Sequence, residues 1–267
     1  MLETSMATDT GTAAGAAVNT TRKPPKLRTV VRITESILDR VPTPLAVWVD
    51  MRRPGFRSSL GGPMNGQARR LEIMRELERT LRFTAVIETG TFRGSTTEFL
   101  CHLIDGPVYT AEHYRRAWLY AKQRLSIYAS ADVRQGDSRA VLSDLLADPT
   151  VPKSNVLFYL DAHWDDGDLP LAQELRTISD GWPDSVIVMD DFEVEGDPGY
   201  GFDEYGPGMR LSRQYLPDHV LADYVLLYPK APSSQETGSR RGCGVLIPKA
   251  RADRIPELTT LTAAPTG

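Results

Sequence analysis

With 267 residues, 41% of them hydrophobic and 25% charged, and a net charge of -4, the chain has the make-up of an ordinary globular protein with enough mass for a sizeable core. The acidic balance argues against nucleic acid as the main partner. No apolar run is long enough to span a bilayer or to form a signal-peptide core, so no membrane is expected and the cytoplasm is the expected compartment.

Met1 to Lys26 is rich in Ala, Thr and Gly with little to bury, and reads as a disordered tail (1–26). Residues 27–66 read as an extension of helix and loop. Val30, Ile33, Ile37 and Leu38 fall at helical spacing within Arg28 to Arg40, and Pro42 closes that helix. Pro44 to Gly66 is loop-like, with Gly61-Gly62-Pro63 and Asn65-Gly66. Gln67 to Leu81 is an amphipathic helix, with Leu71, Met74, Leu77 and Leu81 on one face. A short apolar strand, Ala85-Val86-Ile87, then ends in Glu88. The loop after it holds Gly90 and Gly94, and Ser95-Thr96-Thr97 opens a helix running to about Leu103. Strand, glycine turn and helix start form a corner where backbone can approach a ligand and the first helical N–H groups are unpaired.

Further strands follow at Pro107 to Glu112, Ala131 to Gln135, Asn155 to Leu160 and Ser185 to Met189. Helices at Tyr114 to Tyr128, Arg139 to Ala147 and Leu169 to Asp180 separate them. The alternation implies crossover units and a doubly wound, mostly parallel α/β sheet. Tyr224 to Tyr228 and Gly244 to Ile247 have only a polar loop between them and should pair antiparallel. Cys101 and Cys243 make neither a disulfide framework nor a metal-ligand spacing, and Cys101 reads as a buried thiol.

Ligands of such sheets sit beyond the carboxyl ends of the strands. Four of the five parallel strands end in or near an acid: Glu88, Glu112, Asp161 and the pair Asp190-Asp191. The third ends in Gly136-Asp137-Ser138. A carboxylate at Glu112 can accept from both hydroxyls of a ribose. That serves either a dinucleotide or S-adenosylmethionine. Gly90 and Gly94 lack the first pair of the G-x-G-x-x-G fingerprint, and no G-x-x-x-x-G-K-[ST] occurs, so the dinucleotide and P-loop readings are disfavoured.

The order ETGTFRG, VYTAE, QGDS, FYLDAHW, VIVMDDF and a closing hairpin resembles the class I S-adenosylmethionine-dependent methyltransferases. Within that class it is similar to the metal-dependent macrocin and sugar O-methyltransferases of natural-product biosynthesis. The resemblance covers about Asn65 to Lys249, and the methyltransferase domain is placed at 67–250 with a C-terminal tail at 251–267. It implies a seven-stranded sheet with a reversed last strand. It further implies that Glu88, Gly90, Thr91, Gly94 and Ser95 border the methionine part of the cofactor, Glu112 the ribose, and Asp137 and Ser138 the adenine. Asp161 is placed at both the cofactor and the second site.

At that second site Asp161, Asp190 and Asp191 would converge, and their mutual repulsion calls for a cation. An all-oxygen donor set favours Mg2+. The resembling family holds a metal with such a trio. His163 stands where the related enzymes often place a base, and an imidazole can take the proton of a metal-bound hydroxyl. Glu193 to Gly208 reads as a functional lid or a disordered loop, and its Tyr200, Phe202 and Tyr205 either line an acceptor pocket or pin the loop down. The expected activity is Mg2+-dependent O-methylation of a small-molecule hydroxyl. A metal-independent methyltransferase, an NAD(P)-linked oxidoreductase and a non-catalytic cofactor-binding scaffold stay open, as does a homo-oligomer.

Overall fold

In the computed structural model, residues 40–162 and 168–265 are described. The chain divides between Val41 and Pro42, and the sheet with its helices belongs to the second unit. Helix α1 spans Thr43–Asp50, with Pro44 in its first turn where no intrahelical N–H is needed. Helix α2 spans Ala68–Leu81 and leads into strand β1, Ala85–Thr89. Then follow α3 (Ser95–Leu103), β2 (Val108–Glu112), α4 (Arg115–Leu125), β3 (Ala131–Gln135), α5 (Ser138–Ala147) and β4 (Val156–Leu160). After α6 (Leu171–Gly181) and β5 (Val186–Asp190) come α7 (Asp218–Asp223), β6 (Tyr224–Pro229), β7 (Cys243–Pro248) and β8 (Leu261–Ala263).

The sheet order is β3-β2-β1-β4-β5-β7-β6-β8. Strands β1 to β5 are parallel, and β7 runs antiparallel to both β5 and β6. The order reverses at β1 and β4, where Ile87 pairs with Phe158 and Thr89 with Leu160. That switch point is where ligands of open α/β sheets bind.

Both faces of the central strands are buried, as expected of a parallel sheet covered on each side. Alternate residues divide between two cores. Ala85, Ile87, Phe158, Leu160, Ile187 and Met189 pack with Leu142 of α5 and Leu175 and Ile178 of α6. Val86, Leu157, Tyr159, Val186, Val188 and Val245 pack with Ile73, Met74 and Leu77 of α2 and Leu100 of α3.

Most strands and helices expected from Gln67 to Ile247 fall within two residues of their expected bounds; α4 ends three residues early, at Leu125, and α7 lies where no element is expected. The sheet, however, has eight strands. Residues 251–267, expected as a tail, supply β8, which pairs antiparallel with β6. The cause is buried Glu76 of α2, whose carboxylate accepts the backbone N–H groups of Thr259 and Thr260 at 2.9 and 2.8 Å. Helix α1 lies in the stretch expected to be loop; its buried Ala46 and Val47 are too few for a clear periodic signal. The helix expected over 28–40 lies outside the described residues, apart from Arg40.

Candidate functional site

The carboxyl ends of β1 and β2 open on a cavity of about 260 Å3. Gly90 and Thr91 follow β1 into its wall, Ser95 and Thr96 open α3 there, and Ala111 and Glu112 end β2. Gly136 and Ser138 add the end of β3, Asp161 and Ala162 the end of β4, and Asp191 the end of β5. The 43–66 segment closes one side, with Leu60 and Asn65 in the lining. It is held there by the Met64 N–H on Thr96 Oγ1 at 3.0 Å and by Arg57 on Glu98 at 2.8 Å.

Gly90 sits at φ +85, and a Cβ there would stand 2.4 Å from the Asp161 carbonyl oxygen. The glycine is therefore required by the chain's own neighbouring strand end, not only by a ligand. Phe92, at φ +48, has the left-handed backbone that is uncommon for a bulky residue. That turn aims its N–H at Glu112 Oε2, 2.7 Å away, while the Tyr114 N–H takes Oε1 at 2.7 Å. Glu112 lines the cavity. The carboxylate is thus aimed and held by backbone dipoles.

The other expected cofactor residues divide. Gly90, Thr91, Ser95, Glu112, Ser138 and Asp161 line the cavity, whereas Glu88, Gly94 and Asp137 do not. Glu88 is buried below it and accepts from Thr97 and Thr110 hydroxyls at 2.5 and 2.6 Å. Burial pushes its carboxyl up to about 7. Gly94 precedes α3 at φ +70. Asp137 caps α5 through the Arg139 N–H at 2.9 Å and pairs with the Arg139 guanidinium at 2.6 Å, which holds its carboxyl below the usual range.

At the ends of β4 and β5 the three acids do converge on one region. Asp190 is buried, and its Oδ1 receives Arg70 Nη1 at 2.5 Å and the Asp191 N–H at 2.8 Å. Its Oδ2 receives the Tyr159 hydroxyl at 2.7 Å. Burial would raise this carboxyl, but Arg70 and Tyr159 outweigh it and the net shift is downward. Asp191 Oδ1 receives Arg241 Nε at 2.5 Å, and Arg241 also pairs with Asp203. Burial and the Asp190 charge push Asp191 up to about 6 against that pull. Among the described residues no side chain bonds the Asp161 carboxylate. Burial, then the charges of Asp190 and Asp191, raise it well above the usual range.

This arrangement does not fit the expected Mg2+. Among the described residues no group of three or more His, Cys, Asp or Glu side chains is placed to hold a metal ion. Of the acids such an ion would need, Asp190 and Asp191 each give one oxygen to a guanidinium, and the second Asp190 oxygen receives the Tyr159 hydroxyl. His163 lies outside the described residues. Of the two roles open to the aromatic residues of the 193–208 loop, they take the pinning one: none of the rings lines the cavity. Tyr200 is in the core with its hydroxyl on the Ala231 carbonyl, Phe202 lies under Arg210, and Tyr205 donates to Asp203.

Arg70 and Arg241 were not among the expected site residues. Arg70 had a readable signal, since it shares the helical face of Met74, Leu77 and Leu81, and a charge on a buried face needs a partner. Arg241, in a polar hairpin loop without periodicity, had none. Asn65, Phe92, Thr96, His113 and Tyr114 also line the cavity and were not singled out.

Two solved structures share this architecture. One is TomG, an O-methyltransferase from Streptomyces achromogenes involved in tomaymycin synthesis and solved in complex with S-adenosylmethionine. It is 17% identical over 68% of this chain and 80% of its own, with a TM-score of 0.51. The fold is that of the class I methyltransferases. The second, a putative caffeoyl-CoA O-methyltransferase from Staphylococcus aureus, is 12% identical over 84% of this chain and 99% of its own, with a TM-score of 0.52. No protein-family model and no curated protein matches the sequence. No described helix is long and apolar enough to cross a membrane.

Proposed function

We propose that the chain is an S-adenosylmethionine-dependent O-methyltransferase acting on a hydroxyl of a small molecule, such as a natural product or its sugar moiety. The observation that carries this reading is Glu112. Its carboxylate accepts from two backbone N–H groups and lines a switch-point cavity at the end of β2, the strand end at which an acid can receive the hydroxyls of a ribose. When bound, the cosubstrate supplies a methyl group on a sulfonium. The turn from Gly90 to Ser95 and the strand end at Asp161 both line the cavity and would hold donor and acceptor in line. The acceptor oxygen forms the O–CH3 bond as the C–S bond breaks, with the electron pair returning to sulfur. The hydroxyl proton passes to a base at the β4 end, His163 or the Asp161 carboxylate. No step in this proposal runs through Mg2+.

Calorimetry with S-adenosylmethionine tests the reading. Wild-type protein should bind it, and Glu112→Gln, which exchanges a charge-assisted acceptor for a neutral one, should weaken binding about 10- to 100-fold. In a methyl-transfer assay over a hydroxyl library, His163→Ala should lower turnover at unchanged cofactor affinity. Absence of both binding and transfer in the wild type would overturn the proposal.

A further inference from the structure

We propose that Arg70 and Arg241 are the resident cations of the acid cluster, so that the site is balanced from within and takes no divalent ion. Three observations carry this. First, Arg70 is 1% exposed and its guanidinium fork is filled. Nη1 is on Asp190, and Nη2 is on the carbonyls of Arg241 and Gly242 at 2.8 Å each. A planar fork with every direction met is pre-organised and does not swing away.

Second, the helix carrying Arg70 is anchored at the point where it must deliver that charge. The N–H groups of Ala68, Arg69 and Arg70 are received by Thr237 Oγ1 and the two Glu236 carboxylate oxygens at 2.9, 3.0 and 3.2 Å. These are the unpaired donors of a helix start, met by an anion from the β6–β7 connection. The same connection brings Arg241, whose backbone N–H and carbonyl are both held by the Gln67 side chain. Two arginines from distant parts of the chain are thus locked to one another and to the strand ends.

Third, the bonding is selective. Asp190 and Asp191 have guanidinium partners, while Asp161, which faces the cavity, has none among the described residues. A divalent ion that took Asp190 would draw it from Arg70 and leave that guanidinium buried without its counter-charge, a heavy cost. Mg2+ sheds its own water reluctantly, which adds to the barrier. On the methyl-transfer reading, which this inference deepens, Arg241 is a positioning residue that fixes Asp191 at the cavity wall.

The test is a Mn2+ titration followed by electron paramagnetic resonance on the full chain, with and without S-adenosylmethionine. Wild-type protein should leave the free Mn2+ signal undiminished to about 1 mM, an affinity weaker than that of a resident ion. One Mn2+ per chain, lost in Asp191→Asn, would overturn the proposal. Thermal melts give the complementary reading. Arg241→Met should lower Tm by about 5 °C, and adding Asp191→Asn to it should return at least half of that loss. An Arg241→Met protein as stable as the wild type would equally overturn it. Neither measurement needs an acceptor or a turnover. Failure of the methyltransferase reading would therefore show as absent cofactor binding while the Mn2+ result stands.

Discussion

At the β1–β2 end of the sheet, acidic side chains are held by neutral dipoles; at the β4–β5 end they are held by cations. Glu112 is aimed by the N–H groups of Phe92 and Tyr114, and Glu88 by the hydroxyls of Thr97 and Thr110. Asp190 and Asp191 are bonded to Arg70 and Arg241. Dipoles orient a carboxylate without cancelling its charge, so the hydroxyl donors of a ligand are still drawn to it. A guanidinium offsets the charge and takes one oxygen of each carboxylate, which leaves less for a ligand to bind. The position of an acid at a strand end therefore does not decide its role; the kind of partner it meets does.

The largest effect that would break this contrast comes from Arg70→Met. The substitution keeps much of the side-chain volume and leaves Asp190 buried without its cation. Breaking a buried pair from one side costs about 3–5 kcal/mol, which for a domain of this size lowers Tm by roughly 10 °C. Circular-dichroism melts check it. A loss within a degree or two would mean that Tyr159 and the Asp191 N–H suffice for Asp190, and the two ends would then be alike.

A smaller effect separates Glu88 from the acids that keep their charge. Its carboxyl ordinarily titrates near 4.5 and is pushed by burial to about 7 in the fold. Its folded-state value lies above the unfolded one, so the folded protein binds more protons between those limits. Stability consequently falls as pH rises from about 4.5 to about 7, by on the order of 3 kcal/mol, and is flat with respect to this group outside that window. Glu88→Gln imitates the protonated form. The variant should match or fall slightly below the wild type at pH 5 and exceed it in Tm at pH 8. Parallel Tm curves across that range would mean that Glu88 is ionised throughout and belongs with Glu112.

The sheet was largely legible because its signals are local. NVLFYL and SVIVM are apolar runs bounded by turn residues, and each acid sits where its run ends. The same locality located Glu112 and Asp161, which do line the cavity. What the sequence did not display was the pairing of charges far apart in the chain. Arg70 and Asp190 lie 120 residues apart, and Arg241 and Asp191 lie 50 apart. A row of three Asp residues looks like a cation site until those partners are in place. Likewise β8 depends on Glu76 reaching Thr259 and Thr260, a contact across 183 and 184 residues that no local pattern encodes.

The smallest effect marks where the cavity's acids stop. Asp137 follows β3 at the same edge of the sheet, and the motif Gly136-Asp137-Ser138 placed it beside a bound adenine. In the structure it is not among the residues lining the cavity; it caps α5 and pairs with Arg139, which in turn bridges to exposed Asp168 at 2.8 Å. The pair is solvent-accessible, so its Coulomb part contributes little. The cap is the larger share, and Asp137→Ala should cost about 1 kcal/mol, or some 2–4 °C in Tm. Cofactor affinity by calorimetry should change less than about twofold, because Ser138, and not Asp137, is in the wall. A tenfold loss of affinity with an unchanged melt would reverse the assignment, placing Asp137 with Glu112 among the acids of the cavity.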